Sequence, residues 1–290
     1  MLYGAIEAGG TKFVCAVGNE KFKIIERVSF PTETPEKTMS SVVDFFNKFD
    51  NVKTIGIGSF GPIDVKKDSK TYGFITSTPK LAWENFNFVG YLKEQLNNIS
   101  VVWTTDVNAA CYGEYIAGYG KGLSNVVYYT IGTGIGGGAL LDGRFIEGFS
   151  HPEMGHATVR RHPEDTFIGN CPYHDDCLEG LAAGPAIENR TGVKGQNLPQ
   201  EDSSWDIEAY YIAQCAYNTT LLFSPQIIIF GGGVMKQKHL RKKVQEQFDK
   251  LINGYVKYPD LSTYIVTPKL GDDAGITGCL ALAKDSYLKA

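Results

Sequence analysis

Residues 2–18 read LYGAIEAGGTKFVCAVG, and residues 126–143 read VVYYTIGTGIGGGALLDG. Each is a β-like run, a glycine turn and a second β-like run. The first hairpin has strands over 2–8 and 12–18 joined at Gly9 and Gly10; after a Gly18-Asn19 turn, 21–29 continues as a third strand. In the second, VVYYTI (126–131) is a strand, GTGIGGG a turn, ALL (139–141) resumes the strand, and Asp142-Gly143 signals a hairpin. Alternating helices and strands follow each. After the first come a helix near 35–49, strand 54–59, a helical stretch near 89–98, strand 101–105 and a helix from about 107. Thr34 and Pro35 start the 35–49 helix, and Met39, Val42, Val43, Phe46 and Phe49 give it one apolar face. After the second come a helix near 206–222, strand 226–230, helix 238–253, strand 263–267 and a last helix near 275–288. The repeated order predicts two α/β lobes of common design, with the active site in the cleft between them.

Composition narrows the partners. The 290 residues are 43% hydrophobic and 21% charged, an ordinary globular balance with ample material for a core. Net charge is −4, from 28 basic against 32 acidic residues. Neither a nucleic acid nor an anionic membrane is expected as partner, since both require a concentrated basic face. The basic run Arg241-Lys242-Lys243 reads as a solvated helix face. The N-terminus has no secretory pattern, and no run of apolar residues is long enough to span a bilayer. Cys15, Cys111, Cys215 and Cys279 sit among apolar or small residues and read as buried free thiols, which fits a reducing cytoplasm.

Three glycine clusters follow predicted strands: AGGTK (8–12), GTGIGGG (132–138) and GGGVM (231–235). Glycine lets main-chain amides approach an anion, although any one cluster is equally well a tight turn. GTGIGG has dinucleotide-type spacing but leads into ALLDGRFI, a strand and not a helix, and AGGTK lacks the Walker A spacing. GGGVM joins a strand to a helix, whose free N–H groups favour a nucleotide there. The GGTK turn offers main-chain donors, the Thr11 hydroxyl and the Lys12 ammonium to phosphates. Glu7, just before it, can take Mg²⁺ directly or through water.

In TDVNAA (105–110), Asp106 ends a β-like run and begins a helix, a position where α/β proteins place chemistry. It can accept a proton from a substrate hydroxyl, with Asn108 orienting that substrate. It can also simply N-cap its helix; beside three phosphate-type loops the catalytic reading takes precedence. In CPYHDDCLEG (171–180), Cys171, His174 and Cys177 offer three ligands, one short of tetrahedral structural zinc. His156 in EMGH is the first choice for the fourth, with His151 and His162 as rivals. Glu153 and Glu179 bracket the cluster and can accept hydrogen bonds from a neutral, polyhydroxylated substrate.

Together AGGTK, TDVNAA, TIGTGIGGG, EMGH with its Cys/His cluster and LEG, and IIIFGGG resemble the ROK family of sugar kinases, repressors and related proteins, along nearly the whole chain. The resemblance implies an α/β, two-domain, actin-like (ribonuclease H-like) fold, with lobes 1–115 plus 276–290 and 116–275. It also implies ATP with Mg²⁺ and transfer to a hexose hydroxyl. By motif match, Asp106 is the base, and Asn108, Glu153, His156 and Glu179 are the sugar contacts. Gly9, Gly10, Thr11, Lys12, Gly132, Thr133, Gly134, Pro185, Gly231, Gly232 and Gly233 are the nucleotide contacts. His156, Cys171, His174 and Cys177 hold zinc. Glu7 stands where the family commonly has Asp, and the CPYHDDCLE form, together with STPKLAW (77–83), looks like the family's fructokinases. The expectation is a cytoplasmic enzyme converting fructose to fructose 6-phosphate, with a homodimer as a possible assembly. Mannose, glucose or an N-acetylhexosamine are the alternative acceptors, and a non-catalytic sugar-binding regulator is the alternative class. The first phosphate-type loop starts by residue 8, which leaves no room ahead of it for the helix-turn-helix of the family's repressors.

Overall fold

Alternation along the first strand sets the layers around it. In β1 (Leu2–Ala8), Leu2, Ile6 and Ala8 face one apolar core while Tyr3 and Ala5 face another. Glu7 has the parity of Tyr3 and Ala5. A computed structural model describes residues 1–289 and divides them into two units. The first is Met1–Gly122, Ile146–His151 and the chain from Asp272 onward; the second is Leu123–Phe145 and Pro152–Gly271.

The first unit continues with β2 (Lys12–Asn19), β3 (Ile24–Pro31), α1 (Pro35–Phe46), β4 (Val52–Ser59), a small hairpin β5 (Phe74–Ile75) and β6 (Phe86–Asn87), α2 (Phe88–Gln95), β7 (Ser100–Thr105) and α3 (Asp106–Ala117). Its sheet runs β3-β2-β1-β4-β7, antiparallel across the first three strands and parallel from β1 onward. Met39, Val42 and Phe45 of α1 and Phe88 and Leu92 of α2 pack on the Ile6 face. Pro35 opens α1 as expected, but Thr34 makes no side-chain cap, and the helix ends at Phe46. The third strand begins at Ile24, because Asn19 to Lys23 form the turn.

The second unit holds β8 (Val126–Ile131), β9 (Ile135–Leu141), β10 (Arg144–Phe145), α4 (Leu178–Ala182), α5 (Gly184–Thr191), α6 (Ser204–Phe223), β11 (Ile227–Gly231), α7 (Lys238–Ile252), α8 (Leu261–Tyr264) and β12 (Ile265–Val266). Its sheet order, β10-β9-β8-β11-β12, reproduces that of the first strand for strand. Asp142 and Gly143 both have positive φ and turn β9 into β10 as the sequence indicates. Three expectations are corrected here. The turn of the GTGIGGG segment is only Gly132–Gly134; Gly136, Gly137 and Gly138 lie inside β9, where a Cβ on Gly137 would strike Met154 and Tyr129. The 231–235 cluster leads into a short 3₁₀ turn, Val234–Lys236, with α7 starting only at Lys238. The 263–267 strand shrinks to two residues, since Asp260 caps α8 ahead of it.

The final helix, α9 (Ala274–Lys289), returns to the first unit and packs with α3 on the Tyr3–Ala5 face. The approach is main chain to main chain. A Cβ on Gly278 would run into the Ala109 carbonyl, one on Gly113 into that of Ala274, and one on Gly56 into that of Cys279. Gly58 lies 3.2 Å, measured from an ideal Cβ, from the Asp106 Cα. No side-chain rotation relieves such overlaps, so Gly278→Ala should lower stability by at least about 2 kcal/mol, as for other overpacked cores. Urea denaturation checks this; a midpoint equal to wild type would mean the helices can move apart freely.

Candidate functional site

In the first unit the carboxyl ends of three parallel strands are level, because Ala8 pairs with Ser59 and Ser59 with Thr105. The 9–12 turn, the 60–63 loop and the start of α3 therefore leave one sheet edge, where α/β folds bind ligands. Gly9 N–H donates to the Lys12 carbonyl at 2.9 Å and the Thr32 hydroxyl to the Gly9 carbonyl at 2.7 Å, holding the turn closed. Thr11 and Lys12 are exposed. Glu7 points at the first turn of α9, where an ideal Cβ on Gly275 would sit 2.7 Å from its carboxyl carbon. Burial raises the Glu7 carboxyl above its usual range, opposed by Lys12 and Arg27 and reinforced by Asp272 and Asp273. Arg27 is itself paired to Asp273 at 2.5 Å.

Asp106 is the first residue of α3, not its cap. That role falls to Thr105, whose Oγ1 accepts from Asn108 N–H at 3.1 Å. The Asp106 Oδ1 accepts from Val107 N–H at 2.8 Å, which orients the carboxylate at the sheet edge. Asn108 is buried, its Nδ2 donating to the Thr104 hydroxyl at 3.1 Å. His151, offered above as a zinc ligand, is excluded from that role. It is buried in the first unit and its Nε2 accepts from Ile63 N–H at 3.2 Å.

In the second unit, Gly184 N–H donates to the Gly132 carbonyl at 2.7 Å, and Gly132 N–H to that of Gly134 at 2.9 Å. This brings Pro185, in the first turn of α5, beside the 132–134 turn. Thr130 pairs with Gly231, so the two glycine turns sit at neighbouring strand ends. Gly232 has φ +88° and a Cβ there would hit the Ile131 main chain; Gly233 is open, and Thr133 exposed. The arrangement presents amide-lined turns suited to an anion.

Beside them His156, Cys171, His174 and Cys177 bring one ligand atom each to within 4.8 Å of all the others. Nδ1 of His156 is 3.7 and 3.5 Å from the sulfurs of Cys171 and Cys177, and Nδ1 of His174 is 3.6 Å from Cys171. Ligands about 2.2 Å from a tetrahedral ion stand about 3.6 Å apart, so the set fits such a metal. His162 is not among them: its Nδ1 accepts from Glu164 N–H and its ring packs on Tyr210. The other edge of His156 faces Glu179, Nε2 to Oε1 3.9 Å, while Oε2 of Glu179 accepts from Ile135 N–H at 2.9 Å. The ligand cluster is thereby linked through one carboxylate to the strand that follows the 132–134 turn. Glu153 joins them. It is solvent-exposed, yet enough protein surrounds the carboxyl to raise it above its ordinary value, with His156 opposing and Glu179 adding to the rise.

Sequence reasoning gave no hint of the buried pair behind this cluster. Arg190 of α5 donates to both oxygens of Asp165, from Nε at 3.1 Å and Nη2 at 3.0 Å, and to the Leu181 carbonyl at 2.7 Å. Tyr211 also donates to Asp165, at 2.7 Å. Twenty-five positions separate the two charges, and no local pattern pairs them. Arg190→Met would strand a buried carboxylate, and the loss should be about 3–5 kcal/mol. Chemical denaturation reads it; a cost near zero would mean that water reaches Asp165.

Comparison with known proteins identifies the relatives of this chain. The model of the ROK family matches residues 3–286. A fructokinase of Streptococcus mutans is 52% identical over 288 residues, covering 98% of this chain and 97% of that one. A fructokinase of Pediococcus pentosaceus is 50% identical over the full length of both. Among solved structures, a ROK family glucokinase from Streptomyces griseus, in complex with glucose and AMPPNP, superposes with TM-score 0.78 at 23% identity, covering 98% of this chain and 100% of that one.

Proposed function

The chain belongs to the ROK family, and we propose that it is an ATP-dependent fructokinase, forming fructose 6-phosphate from D-fructose. The observation that carries the reading is identity of 52% to a fructokinase over 288 residues, along nearly the entire chain. The actin-like kinase fold agrees with it.

In the proposed reaction the fructose 6-oxygen attacks the γ-phosphorus, the bond to the departing ADP breaks, and the hydroxyl proton passes to Asp106. Lys12 and the amides of the 9–12 turn, with those of Gly132–Gly134 and Gly231–Gly233, offset phosphate charge. Asn108, Glu153, His156 and Glu179 hold the hexose hydroxyls. Glu7 would hold magnesium, directly or through water, since a carboxylate at that edge is the hard oxygen donor the ion needs. Magnesium, when bound, supplies charge neutralisation on the triphosphate. His156, Cys171, His174 and Cys177 would hold zinc, which would supply a structural tie that fixes His156 and, through it, Glu179. Among the described residues no helix is long and apolar enough to cross a membrane. All six cysteines are buried and none is in a disulfide, in keeping with the proposed cytoplasmic setting. A homodimer is the proposed assembly.

Two experiments test this. With ATP, magnesium and a panel of fructose, mannose, glucose and N-acetylhexosamines, fructose should give the highest kcat/KM and a 6-phosphate by NMR. Another preferred sugar would replace fructose, and no ADP with any of them would end the kinase reading. Asp106→Asn should then cut kcat by about 10³-fold while ATP binding persists; near-normal turnover removes Asp106 from the base role. For the metal, wild type should carry one zinc per chain by elemental analysis and Cys177→Ser none. The variant's KM for fructose should rise about tenfold or more with KM for ATP little changed. Equal zinc content in both proteins would refute the assignment.

A further inference from the structure

Lys80 belongs to the STPKLAW segment. Trp83 is fully buried, stacks on Phe13 at 5.3 Å between ring centroids, and donates from Nε1 to the Glu33 carbonyl at 2.8 Å. Phe13 follows Lys12 directly, so the stack ties this segment to the end of the first glycine turn. Lys80 precedes a 3₁₀ turn, Leu81–Trp83; its carbonyl accepts from Trp83 N–H at 2.7 Å, and its own N–H donates to the Thr78 hydroxyl at 3.3 Å. With its main chain so held, the side chain lies across the turn. Its Cε is 3.3 Å from where a Cβ on Gly10 would stand. The ammonium is one bond further on.

The charges around the turn say what this lysine is for. Glu7, Asp272 and Asp273 are close enough to influence one another, and Lys12 and Arg27 act on Glu7 in the opposite sense. Arg27 is already paired with Asp273. Of the cations here, Lys12 acts electrostatically on Glu7, and among the described residues no ion pair engages Lys80. A turn that must hold a polyanion beside three carboxylates needs a cation not spent on them. We propose that Lys80 is a second phosphate-binding cation of the AGGTK turn, acting with Lys12 on a phosphoryl group. This deepens the kinase reading and rests on it. The group is either a terminal phosphoryl of the nucleotide or the phosphate of the sugar product, and the two are separable by experiment.

Lys80→Met keeps the stem over Gly10 and removes only the charge, and Lys80→Arg restores it. Direct binding of inorganic tripolyphosphate, followed by calorimetry, should weaken about tenfold or more in Lys80→Met and recover in Lys80→Arg to within about threefold of wild type. In turnover, kcat/KM for ATP should fall at least as much, with KM for fructose unchanged within about twofold. If the contact is to the sugar phosphate, product inhibition by fructose 6-phosphate weakens in the same variant and the ATP terms hold. Either pattern supports the proposal. Tripolyphosphate affinity, ATP kinetics and product inhibition all within twofold of wild type would overturn it, as would loss confined to the fructose KM. The binding arm needs no turnover. Wild type that binds tripolyphosphate but phosphorylates no hexose would sink the kinase reading alone.

Discussion

The first unit depends on helices α3 and α9 touching each other, and β4, through bare main chain. Four glycines, Gly56, Gly58, Gly113 and Gly278, make that approach sterically permissible. Its consequence is chemical as well as structural. Gly58 admits the start of α3 onto β4, so the Asp106 carboxylate stands at the sheet edge, and α9 is drawn over β1 until its first turn meets Glu7. Glycine in the middle of a helix usually costs stability through backbone entropy. Here that cost is offset by burial of Ile276, Cys279 and Leu280 against the sheet.

The second unit solves a different problem: how to hold a group of polar side chains in fixed orientation on a largely irregular stretch. Pro152 to Cys177 contains no regular helix or long strand. Four side chains, His156, Cys171, His174 and Cys177, converge there to within 4.8 Å of one another, and His156 presents one nitrogen to the cluster and the other to Glu179. Glu179 in turn caps Ile135 N–H at the end of the 132–134 turn. A substitution at the cluster would therefore be felt at the glycine turn. Arg190 and Asp165, buried behind it, anchor the same stretch by charge instead of by apolar packing.

How much of this was legible in the sequence follows from the range of each signal. Local patterns carried well: the two hairpins, Pro35 at the start of α1, the Asp142-Gly143 turn and the C-x-x-H-x-x-C spacing all reappear in the structure. Gly136 to Gly138 lie in a strand although glycine suggests a turn; at Gly137 the residue answers a tertiary demand, room for Met154 and Tyr129. The choice among His151, His156 and His162 could not be made from spacing, since which imidazole reaches the cysteines is set by packing. Most opaque were contacts without a sequence period, such as Arg190 with Asp165 or Lys80 over Gly10.

The departure at residue 7 illustrates how such contacts constrain one another. A glutamate carries its carboxylate one methylene farther than the aspartate more usual there, and on a crowded edge that length must be taken up somewhere. Parity sends it toward α9, away from the Ile6 core, and at that spot the helix has Gly275. The carboxyl carbon comes to 2.7 Å from where a β-carbon on Gly275 would stand, and burial there holds the group above its ordinary pKa. An alanine at 275 would push it back toward Lys12 and the phosphate turn. The two residues are 268 positions apart in sequence, yet the electrostatics of the edge depend on their being chosen together. Glu7 and Gly275 thus form one structural unit: the acid occupies room that only a residue without a β-carbon leaves.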